Sequence, residues 1–161
     1  MSNLRNDWKL EEVLALFDKP FNELLFEAHA THIKNHEKDM VQVCTLLSIK
    51  TGGCPEDCGY CSQSIHSEDP MEPTPLMSLE EVKKQAKLAK DQGSTRFCMG
   101  AAWRRPSNAN IDRVIKMIDV VHELGMESCV TLGMLSEDQA ERLSKSGLHY
   151  YNHNLDTSRE H

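Results

Sequence analysis

Residues 78–100 read SLEEVKKQAKLAKDQGSTRFCMG, and this stretch decides the fold. Ser78 with Glu81 forms a capping box at the start of a helix. Leu79, Val82, Ala86 and Ala89 recur at helical spacing on one face. Gly93 stops the helix, because glycine tolerates the left-handed turn that ends one. Thr95-Arg96-Phe97-Cys98-Met99 follows as a strand. The same unit then repeats. Ile111, Val114, Ile115, Ile118 and Val121 mark a second helix, Gly125 its stop, and residues 127–132 a strand. Ser136 with Gln139 opens a third helix, Gly147 closes it, and residues 149–155 form a last strand. Helix, glycine, strand, three times over, predicts parallel strands joined by helical crossovers.

Working outward toward the amino terminus, residues 40–49 alternate as a further strand. Val41, Val43, Thr45, Leu47 and Ile49 fall on one side, and Gln42, Cys44, Leu46 and Ser48 on the other. Residues 64–75 hold Pro70, Pro73 and Pro75 and read as a loop. The first 35 or so residues read as two packing helices. Leu10, Val13, Leu14 and Phe17 lie in the first, Pro20 interrupts, and Phe21, Leu24, Leu25 and Ala28 lie in the second. Residues 1–38 are therefore expected as a helical segment and 39–161 as an α/β unit of about four parallel strands with flanking helices. Four strands are too few to close a (β/α)₈ barrel of ~250 residues. The chain also stops at Asp156-Thr157-Ser158-Arg159-Glu160-His161 without the helix the rhythm requires; of a small open α/β sheet and a partial barrel belonging to something larger, the partial barrel is expected.

Composition narrows the partners. A net charge of −7 without a Lys/Arg stripe argues against nucleic acid. No apolar run is long enough to span a bilayer, and the opening MSNLRNDWKL lacks the apolar core of a secretory signal. A cytoplasmic protein is expected, in which six cysteines serve metal binding or catalysis rather than a disulfide framework.

Three of those cysteines cluster. Cys54-Pro55-Glu56-Asp57-Cys58-Gly59-Tyr60-Cys61 has the spacing C-x₃-C-x₂-C on a loop after the first strand, where β/α folds place their active loops. Three thiolates can hold three irons of a four-iron cluster and leave the fourth open. Structural zinc wants four closed ligands, with His66 as a candidate fourth. A Cys58/Cys61 redox pair is a third reading, which leaves Cys54 unused.

Two strands carry further candidates. Arg96, Cys98 and Gly100 share one face of their strand, and Glu127, Cys129 and Thr131 share one face of the next. Cys98 and Cys129 can then point to the same side, against the bland reading of two small buried hydrophobes. Arg96 and Glu127, separated by the same 31 positions as the cysteines, are expected to meet as an ion pair beneath them. Asn152, Asn154 and Asp156 form a polar row on the last strand, facing either a polar ligand or solvent. Exposed helix explains His29, His32 and His36 better than metal binding, and Cys44 reads as core.

These residues resemble a known family. C-x₃-C-x-aromatic-C after the first strand, with Tyr60 as the aromatic, resembles the radical S-adenosylmethionine (SAM) signature. Residues 47–52 (LSIKTG), 94–103 (STRFCMGAAW) and 150–158 (YYNHNLDTS) narrow the resemblance to the biotin synthase family. It covers nearly this whole chain, from about Trp8, and about half of the family's length.

The resemblance implies conversion of dethiobiotin to biotin by sulfur insertion, the last step of biotin biosynthesis. Cys54, Cys58 and Cys61 would bind a [4Fe–4S] cluster whose open iron is chelated by SAM. Reductive cleavage of SAM would then give a radical that removes a substrate hydrogen. Cys98 and Cys129 would be two ligands of a [2Fe–2S] cluster, the family's sulfur source. The remaining cysteine and arginine ligands fall beyond residue 161, so an incomplete second site is expected in this chain. Tyr60, Gly100, Ala101, Asn154 and Asp156 would lie against SAM, and Asn152 and Asn154 against substrate. Flavodoxin or ferredoxin as electron donor and a homodimer are also implied.

Overall fold

The structure, a computed structural model, describes residues 5–154. The chain divides into two compact units, Met1–Val41 and Gln42–His161. The first holds helices α1 (Leu10–Phe17) and α2 (Phe21–Asn35), parted at Pro20 because proline lacks the amide that would continue α1. His32 and His36 stack with ring centroids 5.4 Å apart. His29 and His36 are exposed and His32 is half-buried, with His36 capping the end of α2.

The second unit is a four-stranded, all-parallel sheet in the order β1-β2-β3-β4, with strands Cys44–Lys50, Arg96–Ala101, Glu127–Thr131 and Tyr150–Tyr151. Between them lie helices α3 (Leu79–Asp91), α4 (Asn108–Glu123) and α5 (Glu137–Lys145). The partial α/β barrel is thus what the threefold rhythm predicted. Both capping boxes are formed. Ser78 Oγ accepts from the Glu81 amide and Glu81 returns the bond to the Ser78 amide, and Ser136 and Gln139 do the same.

The core lies on one face of the sheet. Phe97 and Met99 of β2 and Ser128 and Val130 of β3 are buried. Phe97, Met99 and Val130 share one core cluster with Val82, Ala86 and Ala89 of α3, Ile111, Val114, Met117, Ile118 and Val121 of α4, and Leu143 of α5. The alternate residues point the other way, to the face that α3, α4 and α5 leave uncovered. There the register lays out three rows: Cys44–Arg96–Glu127, then Leu46–Cys98–Cys129–Tyr150, then Ser48–Gly100–Thr131.

Three sequence expectations need correction. The first strand begins at Cys44 rather than at residue 40, because β2 starts only at Arg96 and the preceding residues have nothing to pair with. Val43 marks the boundary, its carbonyl accepting from the Thr95 and Arg96 amides at 3.0 and 3.2 Å. The last strand stops at Tyr151, since β3 ends at Thr131, and only the Asn152 amide, bonded to the Val130 carbonyl at 2.9 Å, extends the pairing. Cys44 is exposed, not core, because its parity puts it on the uncovered face. Among the described residues no helix is long and apolar enough to cross a membrane.

Candidate metal and cofactor centre

The site is built at the carboxyl ends of β1 to β4. The chain leaves β1 through Gly52, at a φ of +65°, where a Cβ would sit 2.5 Å from the Met71 carbonyl oxygen. Only glycine lets the end of the cysteine loop return so close to its beginning. Gly133, after β3, has the same role at φ +83°, where a Cβ would collide with the carbonyls of Trp103 and Arg104. These two glycines let the loops after β1, β2 and β3 close on themselves or on one another.

Within the cysteine loop the backbone ties itself shut. The Cys54 amide donates to the Gln63 carbonyl and the Ile65 amide to the Cys54 carbonyl, both at 2.9 Å. The Cys61 amide donates to the Cys58 carbonyl at 2.9 Å, and the Ser64 amide to the Cys61 carbonyl at 3.1 Å. Buried Ser64 adds a bond from its hydroxyl to the Glu56 carbonyl at 2.5 Å. Cys54 and Cys61 are half-buried, Cys58 and Tyr60 are exposed, and no disulfide engages any of the six cysteines. The loop thus brings the three predicted cysteines onto one short segment. It does not gather their thiols: among the described residues no three His, Cys, Asp or Glu side chains stand together as a metal-holding group.

Sequence reasoning missed two ties that hold this loop to its neighbour. Glu56 pairs with Arg104 at 3.0 Å. Lys50 donates from Nζ to the Ala102 carbonyl at 2.9 Å and to the Gly52 carbonyl. Burial pushes the Lys50 ammonium below the usual lysine range, with Cys54 opposing that shift. Its place in the alternation of β1, even-numbered like Cys44, Leu46 and Ser48, was the available signal.

One layer down, Cys98 and Cys129 are in-register partners on adjacent strands, both half-buried on the uncovered face. Burial pushes the Cys98 thiol up to about 12, and the hydrogen bond and charge of Cys129 add to it. Below them Arg96 and Glu127 meet as the 31-residue spacing predicts. Arg96 Nε and one terminal nitrogen reach the same Glu127 oxygen at 3.0 and 2.9 Å. Gln42 Nε2 donates to that oxygen at 2.6 Å, and the guanidinium lies 3.6 Å over the Tyr150 ring. Arg96 holds the Glu127 carboxyl below its usual range. The two side chains are 18% and 36% exposed, so the pair is wet on one side, and the heavy penalty for orphaning a buried charge does not apply.

Gly100 and Ala101 end β2 beside this face. Asn152 and Asn154 are exposed and bonded to each other, Nδ2 to Oδ1 at 3.1 Å, with Asn152 also reaching Thr131 Oγ1 at 3.4 Å. Asp156, third of that row, lies outside the described residues.

The radical SAM superfamily profile matches residues 48–161, so this is a radical SAM chain: it belongs to that superfamily. Several curated relatives carry the name biotin synthase. The chain is 56% identical to the biotin synthase of Thioalkalivibrio sulfidiphilus over 99% of its own length and 47% of that protein's. It is 57% identical to the biotin synthase of Novosphingobium aromaticivorans, covering 98% and 44%, and 56% identical to that of Ruthia magnifica, covering 100% and 50%. The chain spans about half the length of the curated relatives it matches.

Proposed function

We propose that this protein is a radical SAM sulfurtransferase that converts dethiobiotin to biotin, with Cys54, Cys58 and Cys61 holding a [4Fe–4S] cluster. The observation that carries the reading is the donor set. Three thiols, none in a disulfide, sit on one loop tied shut at the carboxyl end of β1, in a chain whose relatives are biotin synthases. Three thiolate ligands suit a four-iron cluster with one iron left for SAM. A closed zinc site asks for a fourth ligand, where this segment supplies three cysteines and an exposed His66 beyond them.

The cofactors supply the hard chemistry, radical hydrogen abstraction and the inserted sulfur; the protein supplies position. Exposed Tyr60 and the backbone at Gly100 and Ala101 flank the place for the methionyl part of SAM. Asn154 and Asp156 serve the SAM ribose, and Asn152 and Asn154 the polar ring of dethiobiotin. Cys98 and Cys129 contribute two ligands to a [2Fe–2S] cluster. Arg96 and Glu127 keep β2 and β3 in register beneath those thiols. Flavodoxin or ferredoxin as electron donor, and a homodimer, complete the reading.

Anaerobic reconstitution with iron and sulfide tests it. Wild type should develop the visible absorbance of a four-iron cluster, and Ala at position 54, 58 or 61 should each abolish it. Cys44→Ala should leave it intact. Full absorbance in all three loop variants, or zinc in place of iron and sulfide, would contradict the assignment.

A further inference from the structure

We propose that Lys50 is a positioning residue for the cysteine loop, clamping it to the loop after β2 and fixing a positive charge beside it. The inference rests on the cluster assignment above for what the charge does, and on geometry alone for the clamp.

The clamp is closed from both sides. The Lys50 carbonyl accepts from the Ala102 amide at 3.0 Å, while Nζ donates to the Ala102 carbonyl at 2.9 Å. Nζ also donates to the Gly52 carbonyl, and it lies 3.7 Å from the Cβ position of Gly53, the residue before Cys54. One ammonium therefore joins three points: the end of β1, the first turn of the cysteine loop, and the Gly100–Ala102 segment assigned to SAM. The β-bulge between Ser48 and Lys50 accompanies this arrangement at the end of the β1–β2 ladder.

Lysine is an odd choice for a tie made to two neutral carbonyls. Its ammonium is strongly hydrated, and half-burying it carries a desolvation cost that a neutral donor would avoid. Among the described residues no carboxylate pairs with it; its partners are the Gly52 and Ala102 carbonyls, while Glu56 of the loop pairs with Arg104. The charge is thus uncompensated and faces the loop whose thiolates would carry negative charge. A fixed cation beside an iron–sulfur cluster favours its reduced, more negative state. Lys50 accordingly sets two things, the approach of the cysteine loop to the Ala102 segment and the ease of reducing what that loop holds.

Three variants separate the roles: Lys50→Arg keeps charge and donors, Lys50→Gln keeps a donor, and Lys50→Met keeps neither. In the cluster-free chain, hydrogen exchange at the Gly52 and Ala102 amides should quicken roughly tenfold in Lys50→Met and stay near wild type in Lys50→Arg. In the anaerobically reconstituted chain, an electron-spin-resonance titration should find the midpoint potential of Lys50→Met and Lys50→Gln more negative than wild type. Lys50→Arg should restore it. A Lys50→Met protein that retains no cluster while Lys50→Arg does also supports the proposal. Unchanged exchange in all three variants overturns the clamp, and an unchanged potential in Lys50→Gln and Lys50→Met overturns the charge. A wild-type chain that takes up no cluster overturns the cluster assignment and with it the role of the charge, while the exchange experiment still decides the clamp.

Discussion

The two faces of the sheet are made from the same strands, residue by residue in alternation, yet they follow different rules. On the helix-covered face Phe97, Met99, Ser128 and Val130 are wholly buried. On the other, Leu46 is 71% exposed and Tyr150 45%, and their neighbours are Cys98, Cys129, Arg96 and Glu127. Burial of apolar area stabilises the first face. The second carries the Cys98 and Cys129 thiols and the Arg96–Glu127 pair beside exposed apolar side chains, so it contributes less to cohesion. Parity along a strand thus separates the packed face from the polar one.

Substitutions on adjacent strands should break or sharpen that contrast. Phe97→Ala empties a fully buried site and should destabilise by about 3–5 kcal/mol, whereas Leu46→Ala should cost under about 0.5 kcal/mol. Urea unfolding of both variants checks it, and comparable losses would mean that the second face also packs. Gly133→Ala should cost roughly 1–3 kcal/mol, because it forces a side chain into the left-handed region against the Trp103 and Arg104 carbonyls. Thermal melting reads that loss, and an unperturbed melt would mean the two loops are not in close contact.

Smaller effects should attend the ion pair. Arg96→Met removes both the bond to Glu127 and the stack on Tyr150, so its melting temperature should fall further than that of Glu127→Gln. The reverse order would show that the stack contributes nothing. The smallest effect is a dependence on pH from the covered side. His122 Nε2 is 2.9 Å from Ser128 Oγ, and its ring meets His149 edge-on at 5.1 Å. Burial, with the nearby His149, pushes the His122 imidazole below its usual range, and Asp119 pulls weakly the other way. The folded state therefore binds this proton less readily than the unfolded one. Its contribution is complete above the unfolded pKa of about 6.5 and is lost as pH falls below it. Melting temperature should decline between pH 7.5 and 5.5 in wild type, and less steeply in His122→Gln.

Much of this was legible before any coordinates. The glycine-punctuated rhythm gave the parallel sheet because capping boxes and helix stops are local signals. Parity placed Cys98 with Cys129 and Arg96 with Glu127, since equal sequence spacing on successive strands becomes lateral pairing once the register is set. Strand ends were not legible. Residues 40–43 and 152–154 alternate well enough, but a strand exists only where a neighbour pairs with it. Cys44 illustrates a related gap, for its alternation was clear while the question of which face the helices cover was not. In the site, the cysteine spacing announced itself and parity could place Lys50 on its strand face, whereas the bonds Lys50 makes and the His122–Ser128–His149 contacts depend on distances that no local pattern encodes.

The central claim is that three thiols of one loop hold a cluster with one open iron. Mössbauer spectroscopy of the chain reconstituted with ⁵⁷Fe, recorded with and without SAM, tests it most directly. The account predicts that one iron in four changes its signal when SAM is added while three stay as they were. Four irons that remain alike in the presence of SAM, or iron that does not assemble into a cluster at all, would contradict it.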